Sequence, residues 1–289
     1  MILLDLNQVV IANLMQHFNF SAKGAAVNEP LVRHMVLNSI RSYNQQFGAK
    51  YGKMIVCCDN RQYWRGRVFP YYKMHRKRDR DASDFNWNEI FQCLNKVKEE
   101  LKTYAPFNVI EVVGAEADDI IAVLSKKFSS RGSSTLIVSS DKDFLQLQKW
   151  PKVDQYSPFH KRFLKTGDPE KLLKEHILRG DKGDGIPNFL SSDASIINDE
   201  RQKSLNKKKM EIWLDQDPKV FCTTQTMQSG YERNKMLIDL DQIPQDVADA
   251  IWAAYHDPHN TMTDFMQYLS RNKLKSLLEV ADEFRSYDV

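Results

Sequence analysis

The sequence predicts an α/β protein with a mostly parallel central sheet, helices on both faces of that sheet, and a helical C-terminal region. Short apolar runs alternate with helical stretches through about residue 160, which is the pattern of parallel strands joined by crossover helices. Four of these runs end at an acidic residue or shortly before one. After Thr166 the strand-like runs give way to helices and loops.

Five short runs rich in apolar and β-branched residues predict the strands. Each is too short for a typical helix and is followed by charged or turn-forming residues. The runs lie at residues 1–6, 53–59, 107–113 and 134–140, with a candidate fifth at 152–158.

Capping and breaking residues predict the helices between these strands. Asn28, followed by Glu-Pro, opens a helix that Gly48 ends, because proline suits the first turn and glycine stops a helix. Asp84 or Asn86 is placed to cap the next helix, which Pro106 ends. Further helices are predicted at 116–128, at 168–178, and over 228–289 with breaks at Pro244 and Pro258.

Composition predicts a folded protein with a nucleic-acid partner. The chain has 289 residues, of which 42% are hydrophobic, so a sizeable core is expected. Residues 61–80 carry eight Arg or Lys and one acid, interleaved with aromatic residues. Basic residues neutralise phosphates and aromatic rings stack on unpaired bases, so this segment suits single strands. The alternative is a solvated or disordered charge run.

The spacing of the cysteines and the length of the apolar runs indicate where in the cell the protein is located. The four cysteines have neither metal-type nor disulfide-type spacing, which is typical of a reducing compartment. No apolar run approaches the ~18 residues that a transmembrane helix needs, and no secretory signal is visible. We therefore expect a cytoplasmic protein, in the host cytoplasm if it is phage-encoded, without a membrane partner.

The acids at the strand ends predict a metal site. The carboxyl ends of parallel strands share one edge of a sheet, so these acids are expected to meet there. Like charges so placed repel unless a cation lies among them, and oxygen ligands select hard ions such as Mg²⁺ or Mn²⁺. Two such ions beside a basic segment suit phosphodiester hydrolysis. The acids are Asp5, Asp59, Glu116, Asp118, Asp119, Asp141 and Asp143.

Each acid also has a purely structural interpretation. Acids in the first turn of a helix favour its dipole by roughly 0.3–1 kcal/mol. In a regular helix Asp119 would point away from the apolar stripe, so capping explains it well. Asp141 suits a helix cap, while Asp5 and Asp59 suit turns. Both interpretations stay open for each acid taken alone.

Five motifs in order resemble the flap endonuclease (5′ nuclease) family. The resemblance implies a PIN-like nuclease core at residues 1–165, with a helical arch at 61–85, and a helical DNA-binding region at 166–289. The motifs are "YYKMHRKR" at 71–78, "EADD" at 116–119, "SSDKDF" at 139–144, "GDKGDGIPN" at 180–188 and "LIDLDQIP" at 237–244.

The resemblance also implies site residues. Catalysis would fall to Lys73 and Arg76 of the arch and to Asp118 and Asp141. Tyr72 would stack on a terminal base. The acids around the first ion would be Asp5, Asp59, Glu116, Asp118 and Asp141, and those around the second Asp119, Asp143, Asp181 and Asp184. The nucleic-acid contacts would be Arg65, Arg67, Tyr72, Lys73, Arg76 and Lys77 of the basic segment, with Lys207 and Lys208 added from outside the family motifs.

The sequence departs from the family pattern after residue 188. Many members have a glycine-rich hairpin there, which grips duplex backbone and often holds K⁺. Residues 189–209 lack those glycines, so the hairpin and a bound K⁺ are without support in this sequence. Duplex contact would pass to Lys207 and Lys208, unless these form a solvated lysine face.

The resemblance implies a Mg²⁺-dependent 5′→3′ exonuclease and flap endonuclease, with Mn²⁺ able to substitute. It would remove RNA primers and adjoining DNA on the lagging strand. Its partners would be branched or 5′-ended DNA, RNA–DNA duplex, a single-strand-binding protein and a sliding clamp, and it would act as a monomer. The alternatives are a PIN-type ribonuclease without an arch and a non-catalytic branched-DNA-binding protein.

Overall fold

The computed structural model describes residues 1–11, 27–83, 86–257 and 260–287. Within them, six strands form one sheet in the order β3-β2-β1-β4-β5-β6. Neighbouring strands are parallel, except for the antiparallel pair β5 and β6. The strands are β1 (Ile2–Asp5), β2 (Met54–Cys58), β3 (Asn108–Glu111), β4 (Thr135–Val138), β5 (Val153–Ser157) and β6 (Arg162–Leu164).

Helices connect the strands and make up most of the second half of the chain. Residues 6–11 are helical, and 3₁₀ helices cover Lys142–Lys149 and Ala281–Phe284. The named helices are α1 (Glu29–Tyr51), α2 (Trp64–Val68), α3 (His75–Asp81), α4 (Trp87–Tyr104), α5 (Ala117–Ser130), α6 (Pro169–Arg179), α7 (Lys207–Asp215), α8 (Pro218–Phe221), α9 (Gln225–Ile238), α10 (Gln245–Tyr255), α11 (Met262–Arg271) and α12 (Lys275–Leu278).

Both faces of the sheet are buried. Successive side chains of a strand point to opposite faces, so Leu4 and Val56 lie in one apolar core while Leu3 and Ile55 lie in the other. Helices α1 and α4 cover the first face, and α5 and α10 cover the second. The predicted fold class is confirmed.

Local capping starts the helices much as predicted, but α1 continues past Gly48 to Tyr51 and ends at Gly52, so Gly48 does not end it. The Asn28 side chain accepts a hydrogen bond from the Leu31 N–H at 3.1 Å and so opens α1. The Asn86 side chain caps α4, and Asp84 and Pro258 lie outside the described residues. The sequence did not indicate the short edge strand β6 or helix α7. No helix in the described part of the chain is long and apolar enough to cross a membrane.

The segment predicted as an arch contains two short helices, α2 and α3, joined by a turn. Phe69 and Tyr72 are buried in a small apolar cluster with Ile177 of α6 and Leu237 of α9. In the turn, Lys73 adopts a positive φ of 56°. The described part of this segment is therefore packed at its base against the C-terminal helices.

The C-terminal helices share a core with the sheet. Phe265 and Tyr268 of α11, together with Phe284, belong to the same buried cluster as β1 and α1. The division predicted at residues 165 and 166 stays a prediction. Residues 189–206 form turns and loop without a strand, so the glycine-poor segment has no β-hairpin.

Candidate active site

Asp5 ends β1 at the carboxyl edge of the sheet and is buried there. Its carboxylate accepts hydrogen bonds from the Gln8 N–H and the Ser139 hydroxyl, both at 3.1 Å. Burial raises the pKa of Asp5 to about 7, and the charges of Asp59 and Asp141 add to the rise. The neighbouring strand ends therefore deliver mutually repelling carboxylates to one place.

Asp59 follows β2 and holds the next element in place. One carboxylate oxygen accepts the Ala117 N–H of the first turn of α5, and the other accepts the Asn7 side-chain amide, both at 2.7 Å. An acid at this end of a helix is favoured by the unpaired N–H groups there. Asp59 thus fixes the start of α5 against β2.

Glu116 and Asp119, at the start of α5, share one buried cation. Arg65 is buried and donates from one guanidinium nitrogen to Glu116 at 3.0 Å and to Asp119 at 2.8 Å. Its Nε donates to the Leu237 carbonyl of α9 at 2.8 Å. The other oxygen of Asp119 accepts the Glu116 N–H at 2.9 Å, which completes a capping box.

These contacts correct two predicted roles. Asp119 is fully buried and both its oxygens are engaged, so it does not face the other acids as a metal ligand. The capping interpretation of Asp119 describes the structure better. Arg65 is buried against two carboxylates and a carbonyl, so it is not available to nucleic acid in this structure. A buried guanidinium needs such partners because its charge is costly to desolvate.

Basic residues of the turn between α2 and α3 contact the same edge. The Lys73 ammonium is 2.6 Å from Glu116 and 3.7 Å from Asp184. Although burial lowers it, the pKa of Lys73 lies above its usual value because of these two acids. Arg76 pairs with Asp184 and also donates to the Gly183 carbonyl at 2.8 Å.

Tyr72 has a different role from the one predicted. Its ring is buried, and its hydroxyl lies 3.0 Å from Glu116 and 2.8 Å from Asp184, so its one proton can be donated to either carboxylate. The prediction that Tyr72 stacks on a terminal base therefore does not fit this structure. It acts instead as a bridge between the start of α5 and the loop after α6.

Asp118 and Asp141 lack comparable cationic partners. Burial raises the pKa of Asp118 well above its usual value, followed by the charges of Asp141 and Asp5. Burial likewise raises the pKa of Asp141, and the charge of Asp184 contributes. The charge of Lys73 lowers both pKa values without reversing the rise. Oxygen-only donors without a salt bridge to a described residue fit a hard divalent ion. Asp5, Asp118 and Asp141 stay predicted donors to the first ion.

The second predicted position contains a histidine as well as acids. His176 lies 3.3 Å from Asp143 through Nδ1 and 3.2 Å from Asp181 through Nε2. Burial raises the pKa of Asp143 to about 7, and the Asp141 charge contributes. Asp184 accepts from Tyr72 and Arg76 as described above. The structure thus places Asp143 and Asp181 close together, whereas Asp184 contacts Tyr72 and Arg76.

The other predicted nucleic-acid contacts lie on the surface. Arg67 and Lys77 are exposed on the segment over the site, and Lys207 and Lys208 are exposed in the first turn of α7. Three lysines at the start of a helix are unfavourable for its dipole. The surface placement leaves these four side chains accessible to a polyanion, and their contacts stay predictions.

Two family models together cover almost the whole chain. One, described as the N-terminal, resolvase-like domain of 5′-3′ exonuclease, matches residues 3–176. The chain belongs to the 5′-3′ exonuclease family. The other, described as the C-terminal part of T4 RNase H, matches residues 167–284. The predicted family is confirmed, and the protein is a nuclease of this family.

Named relatives point the same way. Ribonuclease H of Enterobacteria phage T4 is 36% identical over 263 residues, which span 88% of this chain and 85% of that protein. Flap endonuclease Xni of Shewanella sp. (strain W3-18-1) is 33% identical over 133 residues, 43% of this chain and 47% of Xni. The protein is therefore a 5′-3′ exonuclease-family homologue of T4 ribonuclease H.

Solved structures of a bacteriophage T5 nuclease share the fold. A flap endonuclease complex with DNA and metal ions has a TM-score of 0.62 at 19% identity, covering 89% of this chain and 99% of that one. The T5 5′-exonuclease with bound zinc has a TM-score of 0.61 at 18% identity, covering 88% and 97%. A divalent-metal-dependent nuclease is consistent with the acids described above.

Sequence reasoning did not single out three polar residues at the site. Asn7 donates a hydrogen bond to Asp59, and Ser139 donates one to Asp5. Short polar residues near strand ends are common, so the sequence does not predict these contacts. His176 belongs to a run interpreted only as a helix. The available signal was the spacing to Asp181, because Gly180 between them, at a φ of 69°, stops the helix and reverses the chain.

Replacing Arg65 with methionine should destabilise the protein by about 3–5 kcal/mol, because two buried carboxylates lose their cation. Arg67→Met, at an exposed position of the same helix, should change stability by only about 0.5 kcal/mol. Urea unfolding at pH 7.5 measures both variants. Equal stability of the two variants would contradict the assigned role of Arg65.

Asp5→Asn should stabilise the metal-free protein at high pH. The folded pKa of about 7 lies above the ordinary value of 3.8, so the stability that this proton contributes is complete below about pH 4 and is lost as pH rises through 7. In EDTA at pH 8 the variant should gain about 1–3 kcal/mol, and at pH 5 the gain should shrink. Unfolding curves at both values, with Asp282→Asn as the exposed control, measure this. A variant less stable than wild type at pH 8 in EDTA refutes the account.

Proposed function

We propose that this protein is a Mg²⁺-dependent 5′→3′ exonuclease and flap endonuclease that removes RNA primers and adjoining DNA during lagging-strand replication. The observation that carries the proposal is the set of buried carboxylates with raised pKa values, Asp5, Asp118 and Asp141, beside Lys73 and Arg76. A cation site next to phosphate-binding side chains is what phosphodiester hydrolysis needs.

The acids divide into two proposed ion positions. Asp5, Asp118 and Asp141, with Asp59 oriented by Asn7, would hold the first ion. When bound there, divalent ions would supply an activated water and would stabilise the leaving oxygen, and Mn²⁺ would substitute for Mg²⁺. The second position would be formed by Asp143 and Asp181, with Asp184 as a neighbour.

Lys73 and Arg76 would bind the substrate phosphate. Both side chains now pair with acids at the sheet edge, Lys73 with Glu116 and Arg76 with Asp184. A phosphate at this edge would compete for the same cations, and they would orient it and balance developing negative charge. The tight turn at Lys73 and the Lys73 N–H bond to the Asp184 carbonyl at 2.8 Å hold this group in place.

The basic surface supports a nucleic-acid substrate. Arg67 and Lys77 lie on the segment over the site, so they would contact the 5′ strand. Lys207 and Lys208 on α7 would contact duplex backbone. We extend the proposal to branched or 5′-ended DNA and RNA–DNA duplex as substrates. A single-strand-binding protein and a sliding clamp as partners, a monomeric state and a cytoplasmic location are further parts of the proposal.

Digestion of 5′-labelled substrates tests the proposal. The protein is incubated with an RNA–DNA hybrid or a 5′-flap duplex, with Mg²⁺ or with EDTA, and the products are sized. The proposal expects short products from the 5′ end, only with the metal. Cleavage within a strand whose 5′ end is blocked by a bulky group would instead favour a PIN-type ribonuclease, and no cleavage would favour a binding protein.

Asp118→Asn and Asp141→Asn should each lower the cleavage rate on the flap duplex by about 100-fold or more, because each removes one charged donor from the ion site. The fold should remain, since neither side chain pairs with a buried cation as Asp119 does. Asp282→Asn, on the surface, is the control. Wild-type rates for either site variant in Mg²⁺ would refute the assigned ion position.

Lys73→Ala should slow single-turnover cleavage by about 100-fold while changing duplex affinity less than about threefold. The reason is that Lys73 faces the sheet edge where the reacting phosphate would lie. Lys77→Ala, at an exposed position four residues later, should act mainly on affinity. If Lys73→Ala altered binding alone, Lys73 would be a positioning contact and not part of the reaction.

A further inference from the structure

The end of helix α6 places an imidazole between two carboxylates. His176 occupies the last turn of α6, and the Gly180 N–H closes that turn on the His176 carbonyl at 2.8 Å. The chain then reverses, and Asp181 lies beside the ring that belongs to the preceding helix. Asp143, from the first turn of the 3₁₀ helix after β4, approaches the other ring nitrogen at 3.3 Å. Three separate parts of the fold thus meet at one ring.

The separations of these groups suit a single metal ion. One donor atom from each of Asp143, His176 and Asp181 lies within 4.8 Å of the others. Donors on opposite sides of an ion with bonds of about 2.1 Å stand about 4.2 Å apart, and adjacent donors about 3 Å apart. In the described part of the chain, no other set of three ligand-type side chains is this close.

Backbone hydrogen bonds position the two carboxylates. Asp181 uses one oxygen to accept the Asp184 N–H at 3.1 Å, which leaves the oxygen that faces His176 for another partner. The Asp143 N–H donates to Asp141 at 3.0 Å, so Asp143 is tied to an acid of the first ion position. The three side chains line an open cleft with Ser140 and Leu172, so an ion can enter from solvent.

We propose that His176 is a nitrogen ligand of the second metal ion, and that this position prefers Mn²⁺ or a similar transition ion to Mg²⁺. This inference extends the proposed function, and the role of the ion in cleavage rests on that function. Mg²⁺ strongly prefers oxygen donors, whereas imidazole raises affinity for later divalent metals. Two carboxylates and an imidazole therefore favour Mn²⁺ or a similar transition ion, whereas the oxygen-only first position favours Mg²⁺.

The competing interpretation is that His176 serves only as a counter-cation. Its pKa is raised: burial opposes its charge, but the hydrogen bond to Asp181 and the Asp143 charge favour it. In that case a protonated ring would pair with both acids, and any ion would bind through oxygen atoms without nitrogen. The two interpretations differ in one observable, which is a bond between the metal and a histidine nitrogen.

Pulsed electron paramagnetic resonance on Mn²⁺ detects that bond directly. Tag-free wild-type protein is titrated to two Mn²⁺ ions, and nitrogen modulation is recorded. We expect ¹⁴N coupling in wild type, its replacement by ¹⁵N coupling when the protein contains ¹⁵N-labelled histidine, and its loss in His176→Gln. His160→Gln, at an exposed position, should keep the coupling. Labelling tests the wild-type protein itself, so the inference stays testable if His176→Gln does not fold.

Calorimetry gives a second readout. His176→Gln should weaken Mn²⁺ binding at one of the two sites by about 10–100-fold and Mg²⁺ binding by less than about threefold. The inference is overturned if wild type with two bound Mn²⁺ shows no nitrogen coupling, or if the coupling persists in His176→Gln. Nitrogen coupling without flap cleavage would refute the proposed function alone. Flap cleavage without nitrogen coupling would refute only the role of His176.

Discussion

The buried guanidinium of Arg65 determines which acids at the sheet edge remain available for a cation. It binds Glu116 and Asp119 at the start of α5 and the Leu237 carbonyl at the end of α9, so it joins the basic segment, the nuclease core and the C-terminal helices. A buried cation and a buried carboxylate are tolerable only together. Because Arg65 engages the acids on either side of Asp118, Asp118 alone of this group faces Asp5 and Asp141.

The edge therefore holds acids of two kinds. Glu116, Asp119 and Asp184 have cationic partners within the chain. By contrast, in addition to burial, the charge of Asp141 raises the pKa of Asp5, and the charges of Asp141 and Asp5 raise the pKa of Asp118. The paired acids fix the architecture and anchor the basic turn over the site. The unpaired acids store a repulsion that a divalent ion would relieve. The stretch from Glu116 to Asp119 supplies acids of both kinds, since Glu116 and Asp119 are paired with cations and Asp118 is not.

Much of this arrangement could be predicted from the sequence, because parallel strands bring their carboxyl ends together whatever the details of packing. That rule alone gathers Asp5, Asp59 and Asp141, and the motif resemblance adds Asp181 and Asp184. The burial of Arg65 could not be predicted, since its partner Leu237 is 172 residues away in the chain. Nothing local distinguishes Arg65 from Arg67, which is exposed.

The role of His176 could not be predicted either, because a single histidine on an amphipathic helix gives no signal until the following turn brings Asp181 beside it. Tyr72 was misjudged because its aromatic ring was weighed and its hydroxyl was not.

We propose that the acids without cationic partners among the described residues form the ion site of a nuclease. Anomalous diffraction at the manganese edge from crystals of the protein soaked in MnCl₂ tests this. We expect a peak bounded by Asp5, Asp118 and Asp141, and a second about 4 Å away beside Asp143 and Asp181. Manganese elsewhere on the surface, with no peak among Asp5, Asp118 and Asp141, would contradict it.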